Sequence, residues 1–428
     1  MKKITFLLCA GVVMLSGCKD IVLEETNYAP NLNSQEPIKK TEIEQAQNIK
    51  LQPQTRAILA QNNAFSLDFF KAVSQSCDTN LFVSPFSMYA ALGMLYNGAE
   101  GETKKEIAEV LRMDDYTPLQ MNEYYQELTQ ALLEVDPSTS LSLANAIWTN
   151  KGYTLQNSFV GLNQDYYDAR ISTLDFSHPS AVQTINDWCN EQTKGTIPWI
   201  VGAIDPKTIV ILANAIYFQS FWTYDFDPSK TIDKPFYNIN GATATVPMMH
   251  QKELGLWYAQ MDDCGMVTLP YANTAFAMNL ILPHKGVDVD AVINELDAAS
   301  WQAIMAHRDQ TKVTLSMPRF KVENYLEDLT GILAALGMPS AFSPFDADFS
   351  AMVNDDDVFI SEVIQKSYIS VDEAGTEAAA VTLLSLQGSL GLQSNPKEVT
   401  MVVDRPFMFA ITEQSTGAIL FMGKVTQL

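Results

Sequence analysis

VDEAGTEAAAVTLLSLQGSLGLQSNP, the stretch at residues 371–396, decides how the rest of the chain is interpreted. If it forms a strand, alternate side chains lie on one face, and one of its two faces carries no charge. The uncharged face consists of Thr376, Ala378, Ala380, Thr382, Leu384 and Leu386. Glu377 and Gln387 lie on the opposite face. Such a strand could enter between two existing strands above a packed core without burying a charge. The alternative is a solvent-exposed linker that contains an alanine-rich helical turn.

Five stretches together resemble the serpin family, and the similarity runs from about Ala57 to Leu428. GTEAAAVT at 375–382 is similar to the hinge of that family's reactive loop. NLFVSPFSMYAALGMLYNGAEGETKKEI at 80–107 and LANAIYFQSFW at 212–222 resemble two other family segments. The LG, AF and ADFS elements occur within 336–350, and MVVDRPFMFAI at 401–411 is followed by ILFMGKV. Several long motifs in the right order make coincidence a poor explanation.

The resemblance implies an α+β fold with a large central β-sheet, surrounding helices and an exposed, insertable reactive loop at about 373–398. Helix-like stretches at 88–96, 103–111, 185–193 and 326–336 agree with this class, because strand-like runs are mixed among them. Those runs lie at 209–218, 267–270, 275–282, 312–318 and 399–411.

The resemblance also implies a function, that of a suicide-substrate protease inhibitor rather than an enzyme. A target protease attacks the loop as a substrate and becomes acylated. The loop then inserts into the central sheet as a new strand, beginning at Gly375, and distorts the covalently attached protease. The implied partner is therefore a serine protease or a papain-like cysteine protease, held in a covalent acyl complex with a monomeric inhibitor. The resemblance implies no cofactor and no metal.

The resemblance assigns three groups of site residues. The hinge comprises Glu373, Gly375, Thr376, Glu377, Ala378, Ala379, Ala380 and Thr382. The region where the sheet opens comprises Asn80, Ser84, Ser87, Asn214 and Gln365. The region of first insertion comprises Trp222 and an ion pair between Arg319 and Glu373. Ordinary core packing explains any one of these residues equally well, so the assignment is supported only by their occurring together.

Gln365 departs from the family pattern, because many members have a histidine at this position. A neutral amide can donate and accept hydrogen bonds there, but its network and its pH response differ from those of an imidazole.

The composition of the hinge favours an active inhibitor over a noninhibitory relative that acts as a binding or protease-substrate protein. A bulky, charged or proline residue between Thr376 and Thr382 would oppose insertion. Glu377 is the only such residue, and it lies on the face that points away from the core.

The scissile bond has three candidates. By the family's usual spacing, counting forward from Gly375 gives Ser389, whereas counting backward from SNPKEVT at 394–400 gives Leu392, three residues later. Leu390 is the third candidate. No lysine or arginine occurs between Glu373 and Pro396. A protease whose pocket binds basic side chains has nothing to engage there, so trypsin-like enzymes are poor targets. Elastase-, chymotrypsin- and subtilisin-like proteases are the expected targets.

Other functions find little support in the 428 residues. The formal charge of -23 repels phosphate backbones, which argues against nucleic-acid binding. The four histidines form no metalloprotease motif, and neither a GxSxG elbow nor a phosphate-binding loop is present. An envelope hydrolase therefore remains only as a remote alternative.

The first residues indicate export. Lys2 and Lys3 precede an apolar run at 4–13 that is too short to span a bilayer, and LSGC at 15–18 resembles the lipobox of bacterial lipoproteins. We therefore expect a signal peptide at 1–17, a lipidated Cys18 and a polar tether at 18–56, followed by one serpin domain at 57–428. This arrangement predicts a lipoprotein of the cell envelope, anchored to the outer membrane and facing either the periplasm or the exterior. A plain cleaved secretory signal is the alternative.

Cysteine usage predicts no disulfide framework. With Cys9 removed and Cys18 lipidated, an odd number of cysteines remains, and these contain no CxxC pair. Cys77, Cys189 and Cys264 are therefore predicted to be buried free thiols.

Overall fold

A computed structural model describes residues 46–326, 328–354, 358–376 and 397–428. The helices are α1 Pro53–Gln75, α2 Pro85–Tyr96, α3 Gly101–Val110, α4 Pro118–Glu134, α5 Asn157–Tyr167, α6 Ser180–Gln192, α7 Val289–Glu295, α8 Ala298–Ala306 and α9 Thr330–Leu336. The strands are β1 Leu81–Val83, β2 Ser140–Asn150, β3 Arg170–Leu174, β4 Val210–Phe221, β5 Ile232–Tyr237, β6 Thr243–Gln260, β7 Cys264–Pro270, β8 Phe276–Pro283, β9 Asp309–Pro318, β10 Phe320–Leu326, β11 Gln365–Val371, β12 Gly375–Thr376, β13 Glu398–Val402, β14 Phe407–Glu413 and β15 Ile419–Val425.

The described strands form two sheets. The smaller has six strands in the order β10-β11-β12-β4-β2-β3. The larger has nine, in the order β1-β15-β14-β8-β7-β6-β9-β13, with β5 paired to β6. One main core cluster contains residues from both sheets and from helix α2, among them Phe86, Phe218 and Phe421. A second cluster lies between α6 and strands β2 and β4. The α+β class predicted from the sequence is confirmed.

Helix α2 lies in the main core, and its sequence explains why. The Ser84 side chain caps it by accepting a hydrogen bond from the Ser87 N–H at 3.1 Å, and Pro85 occupies its first turn, where no N–H is needed. Nearly all of its residues are buried, as expected for a helix that is apolar all round. This helix fixes Ser84 and Ser87 beneath the smaller sheet.

Most predicted elements are present, but two boundaries differ. The helix expected at 326–336 begins only at Thr330, because Leu326 ends β10 as the register partner of Gln365. The strand expected at 399–411 is two strands. Pro406 between them lacks an N–H for a sheet ladder, so β13 pairs with β9 while β14 lies between β15 and β8.

Packed structure begins earlier than the expected tether boundary at residue 56. Helix α1 starts at Pro53, and Leu51 is already buried against the main core. Upstream, the Ile49 N–H donates to Ser415 Oγ at 2.9 Å and the Ala46 N–H donates to the Asn273 carbonyl at 3.2 Å. The polar composition near residue 50 did not predict this packing. Two of the contacts are made by backbone N–H groups, which side-chain composition does not report.

The cysteine prediction is correct for two residues and wrong for one. Cys189 and Cys264 are buried free thiols. Cys77 is disulfide-bonded.

Among the described residues, no helix is both long enough and apolar enough to cross a bilayer. The same part of the chain contains no cluster of acidic, histidine and cysteine side chains that could hold a metal ion.

Candidate functional site

Two residues of the hinge, Gly375 and Thr376, form strand β12 within the smaller sheet. Thr376 pairs with Ser220 of β4 on one side and with Val371 of β11 on the other, and both pairings are antiparallel. Gly375 pairs with Phe221. The hinge therefore already occupies the position of a strand between β4 and β11.

Gly375 is required by its close approach to β4. A Cβ atom at this position would lie 2.2 Å from the Ser220 carbonyl oxygen and 2.5 Å from the Phe221 Cα. Both atoms belong to the backbone, so no side-chain movement could relieve the clash. Any other residue at 375 would push the hinge out of the sheet.

Thr376 points its side chain into the main core. It is 2% exposed, and its hydroxyl lies 2.6 Å from the Tyr271 hydroxyl. The Tyr271 ring stacks on Trp222 with centroids 4.5 Å apart and planes 10° from parallel. Burial raises the pKa of Tyr271, so the phenol stays neutral and keeps its proton. The inward direction of Thr376 agrees with the uncharged face expected from the sequence.

Trp222 holds the turn at residues 372–375, which leads into β12. Its indole N–H donates to the Asp372 carbonyl at 2.9 Å, and its backbone N–H donates to the Ala374 carbonyl at the same distance. The Asp372 carboxylate accepts from the N–H groups of Ala374 and Gly375, at 2.8 and 3.2 Å. These contacts fix the direction in which the chain enters the sheet.

Arg319 and Glu373 form a bidentate ion pair beside this turn. The Arg319 Nε and Nη2 atoms donate to Glu373 Oε2 and Oε1 at 2.7 and 2.6 Å, and the Thr231 hydroxyl also donates to Oε1. Burial alone would raise the pKa of Glu373, but the hydrogen bonds from Arg319 and Thr231 lower it overall. The carboxylate therefore stays ionised at neutral pH, and the pair anchors the hinge to the end of β9.

Four of the five residues assigned to sheet opening form one polar cluster at the start of β11. The Ser84 N–H donates to Gln365 Oε1 at 3.1 Å, and Gln365 Nε2 donates back to the Ser84 carbonyl at 2.9 Å. The Ser87 hydroxyl bonds Asn214 Oδ1, and Asn214 Nδ2 donates to Asn145 Oδ1 at 2.7 Å. The cluster therefore connects helix α2 to β11 on one side and to β4 on the other.

Asn80, the fifth of these residues, lies elsewhere. Its Oδ1 accepts from the Thr426 and Gln427 N–H groups at 2.7 and 3.0 Å, and its Nδ2 donates to the Gln427 carbonyl at 2.8 Å. It therefore holds the C-terminal segment beyond β15. Its nearness to Ser84 in the sequence had suggested a shared location, but β1 lies between the two residues.

Gln365→His is expected to make native stability pH-dependent at this cluster. Neutral imidazole has one acceptor nitrogen for the Ser84 N–H, whereas imidazolium has none, so the native state disfavours protonation. The imidazole pKa in the folded state should fall below the unfolded value of about 6.5. Between these two pKa values the variant should lose up to about 1.4 kcal/mol of stability per pH unit relative to wild type as the pH falls. Urea-unfolding midpoints of both proteins between pH 8 and pH 5 measure the difference. Parallel curves would contradict this account of the cluster.

Several assigned residues lie outside the described part of the chain. They are Cys18, Glu377, Ala378, Ala379, Ala380, Thr382, Ser389, Leu390 and Leu392. Conversely, the sequence did not reveal Tyr271, Asn145 or Thr231, which contact Thr376, Asn214 and Glu373. No motif marks them, since each becomes a neighbour only through the pairing of distant strands.

The fold and the site define a class of protein in which a loop begins as a short strand, here β12, within the six-stranded sheet. The family model described as Serpin (serine protease inhibitor) matches residues 60–428. The chain belongs to the serpin family.

Individual relatives cover nearly the same region. A serpin-like protein of Thermococcus kodakarensis is 34% identical, with 87% of this chain and 86% of the relative covered. Leukocyte elastase inhibitor of Homo sapiens is 33% identical, with 85% and 97% covered. The crystal structure of the thermophilic serpin tengpin in its native state matches with a TM-score of 0.80 and 29% identity, over 90% of this chain and 97% of tengpin.

The shared fold does not by itself decide between inhibition and binding. Thyroxine-binding globulin, solved in complex with thyroxine, matches with a TM-score of 0.76 and 30% identity, over 87% of this chain and 99% of the globulin. The function of this chain must therefore be argued from its hinge.

Proposed function

We propose that this protein inhibits serine proteases as a suicide substrate whose loop inserts into the six-stranded sheet after cleavage. The observation that carries the proposal is the pairing of Gly375 and Thr376 between β4 and β11. In the chemical step, the protease serine hydroxyl attacks a loop carbonyl and forms an ester, and the peptide bond breaks. The serine proton goes, through the protease's base, to the amine of the departing chain. Insertion then traps the ester before water can hydrolyse it.

An inserting strand that keeps the register of β12 would have defined neighbours on both sides. Continuing both antiparallel pairings from Thr376 places every second residue opposite one partner on each side. The expected neighbours are Phe218 and Ile369 for Ala378, Ile216 and Ser367 for Ala380, and Asn214 and Gln365 for Thr382. All of these residues would share the inward face of Thr376.

This register matches side-chain chemistry at both ends of the new strand. Small Ala378 and Ala380 would lie above the main core, where Phe218 and Ile369 are buried. The Thr382 hydroxyl would reach the polar cluster of Asn214 and Gln365, where donors and acceptors are available. A new central strand also adds ladder hydrogen bonds on two sides, each worth about 1 kcal/mol net. These gains oppose the entropy lost by ordering the loop.

The target class follows from the loop sequence. Between Glu373 and Pro396 the chain offers apolar and small side chains and no basic ones. Elastase-, chymotrypsin- and subtilisin-like enzymes, and papain-like cysteine proteases, are therefore the proposed targets. Inhibition of leukocyte elastase, stated in the name of the human relative, is consistent with this class.

The decisive experiment uses the chain from residue 19 onward, which lacks the signal and Cys18. It is incubated with elastase, chymotrypsin, subtilisin, papain and trypsin, and SDS gels are inspected for a covalent complex. We expect complexes with members of the first four and none with trypsin. Mass spectrometry of the released C-terminal peptide identifies the scissile bond.

A second readout separates inhibition from simple binding. Loop cleavage should raise the melting temperature by about 10 °C. About ten new hydrogen bonds, each worth about 1 kcal/mol net, stabilise the inserted form, and this free energy divided by the unfolding entropy of a large domain gives a shift of that order. Cleavage by the whole panel with neither a covalent complex nor a thermal gain would favour a noninhibitory binding or substrate protein. Hydrolysis of peptides or esters at catalytic protein concentrations would instead favour the hydrolase alternative.

We also propose that the mature protein is a monomeric lipoprotein of the cell envelope, anchored through Cys18 and separated from the membrane by the polar residues that follow. The lipobox-like sequence at 15–18 supports this proposal. Metabolic labelling with a radioactive fatty acid should mark the wild-type protein and leave Cys18→Ser unlabelled. Labelling of the variant would contradict lipidation at this residue. Protease treatment of intact cells distinguishes a surface location from a periplasmic one.

A further inference from the structure

Side chains replace one of the two backbone hydrogen bonds expected across the turn at residues 372–375. The Asp372 N–H donates to the Gly375 carbonyl at 3.0 Å. In the reverse direction, the N–H of the fourth residue of a turn often donates to the carbonyl of the first. Here the Gly375 N–H donates to the Asp372 carboxylate at 3.2 Å, and the Asp372 carbonyl accepts from the Trp222 indole at 2.9 Å. The Asp372 side chain therefore supplies the acceptor in place of its own backbone.

One carboxylate oxygen of Asp372 holds two successive N–H groups of the turn. Its Oδ1 atom accepts from Ala374 at 2.8 Å as well as from Gly375. Aspartate commonly forms turns in this way, because its short side chain brings an oxygen to the N–H group two residues further along. The oxygen of an asparagine can occupy the same place, whereas the oxygens of a glutamate lie one carbon atom further out. The contact thus depends on where the oxygen lies.

The environment of Asp372 makes the carboxylate and the turn depend on each other. Asp372 is half-buried, and burial raises its pKa. The N–H groups of Ala374 and Gly375 lower that pKa and so offset part of the rise. A carboxylate removed from water needs hydrogen bonds to compensate for its lost hydration. The two N–H groups of the turn provide such bonds, and the carboxylate in turn fixes their positions.

The turn determines where the chain that follows it lies. It reverses the chain after β11, so that Thr376 pairs with Val371 on one side and with Ser220 on the other. In the proposed function, the cleaved loop lengthens β12 from this point. Starting a hairpin orders several residues before strand contacts compensate, whereas each residue pair added to an existing hairpin brings its own contacts. A turn that is formed before cleavage therefore leaves only the second, easier process.

We propose that Asp372 is a positioning residue for loop insertion, because its carboxylate forms the turn at 372–375 before the loop is cleaved. The acyl intermediate can either be trapped by insertion or be hydrolysed by water. By making insertion the extension of an existing hairpin, Asp372 favours trapping. It acts through the turn and not at the reacting bond. The inference rests on the proposed function and names a residue that sets its efficiency.

The test compares three variants with wild type, using a protease of the proposed class that forms a covalent complex with the wild-type protein. SDS gels measure the ratio of cleaved inhibitor to covalent complex. Asp372→Ala removes the acceptor and should raise this ratio about fivefold, the effect of one lost hydrogen bond. Asp372→Asn keeps an oxygen in place and should stay within about twofold of wild type. Asp372→Glu keeps the charge but displaces the oxygens, so it should behave like Asp372→Ala.

Two further measurements distinguish positioning from other effects. Hydrogen exchange at the Ala374 and Gly375 amides should be faster than wild type in Asp372→Ala and Asp372→Glu, and unchanged in Asp372→Asn. Binding to the same protease with its nucleophilic serine replaced by alanine should have one Kd for all four proteins, since the encounter precedes insertion.

Asp297→Ala is the matched control for lost stability. The Asp297 carboxylate accepts from the Ser300 N–H at 2.7 Å and caps α8, which belongs to neither sheet. Its loss should lower the melting temperature and leave the ratio of cleaved inhibitor to complex unchanged.

Equal ratios for wild type and Asp372→Ala would overturn this inference alone. A rise in Asp297→Ala as large as that in Asp372→Ala would also overturn it, since lost stability would then explain both. Should Asp372→Ala fail to fold, the other two variants decide. An impaired Asp372→Asn beside an unimpaired Asp372→Glu would show that charge, and not the position of the oxygen, is what matters. A wild-type protein that forms no complex with any protease of the panel would overturn the proposed function together with the inference.

Discussion

Thr376→Arg is expected to convert the protein from an inhibitor into a substrate of the same proteases. Thr376 is 2% exposed and its hydroxyl lies 2.6 Å from that of Tyr271, so an arginine there would bring a charge into an apolar core without an acidic partner. Because residue 376 already lies in the sheet before cleavage, the arginine should first push the hinge out of the sheet. Returning it there during insertion should then add several kcal/mol to the barrier, whereas cleavage of the loop should not slow. Hydrolysis of the acyl intermediate then becomes faster than insertion, and the number of inhibitor molecules consumed per protease should rise more than about tenfold. Titration of residual protease activity measures this number.

Glu377→Arg is the matched control, because it places the same side chain one residue further along, on the face that strand alternation predicts to point away from the core. We expect its stoichiometry of inhibition to stay within about twofold of wild type. Thr376→Ser, which keeps the hydroxyl for Tyr271, should also remain an inhibitor. Undiminished inhibition by Thr376→Arg would contradict the inserting face that the structure of the hinge supports.

The second large effect concerns specificity and also locates the scissile bond. Ser389, Leu390 and Leu392 are each replaced by arginine in separate variants. The residue whose carbonyl is attacked occupies the primary pocket of the protease, and an arginine there would pair with the buried acidic group of trypsin. We expect one of the three variants to inhibit trypsin about a thousandfold faster than wild type and to lose inhibition of elastase. Second-order rate constants with both proteases provide the measurement.

The other two arginine variants serve as controls for that experiment, since they add the same charge within a few residues of the attacked bond. They should change trypsin inhibition by about tenfold or less, through general attraction alone. Trypsin inhibition that rises equally in all three variants would show that the loop has no single reactive bond. Cleavage by trypsin without a complex in all three would argue against inhibition by loop insertion.

The fold class and much of the site were predictable from the sequence, because local motifs carry them. SPFS combines a capping serine with a proline in the first helical turn, and GTEAAAVT combines a glycine with small residues on one strand face. Such patterns need no knowledge of distant residues. Gly375 shows what such patterns cannot predict. The sequence identifies a glycine at this position, but only the pairing of β12 with β4 reveals that an added Cβ would lie 2.2 Å from the Ser220 carbonyl oxygen.

What could not be predicted depends on pairings across long stretches of chain. Tyr271 lies between β7 and β8, far along the sequence from Thr376, and no spacing rule connects the two. Asn80 shows the opposite error. Only the three residues of β1 separate it from Ser84 in the sequence, yet its side chain binds the C-terminal segment.

The pairing of β1 with β15 has a consequence for how the chain is made. Leu81, near the start of the folded part, pairs with Lys424, and Asn63 of α1 binds the backbone of Gly417 and Ile419. These partners are synthesised after the loop itself. The larger sheet therefore closes only after the loop has been made, and pairing between segments so far apart in the chain makes folding slow. A chain that stops before residue 419 would carry the whole loop but could never reach the state from which the loop acts.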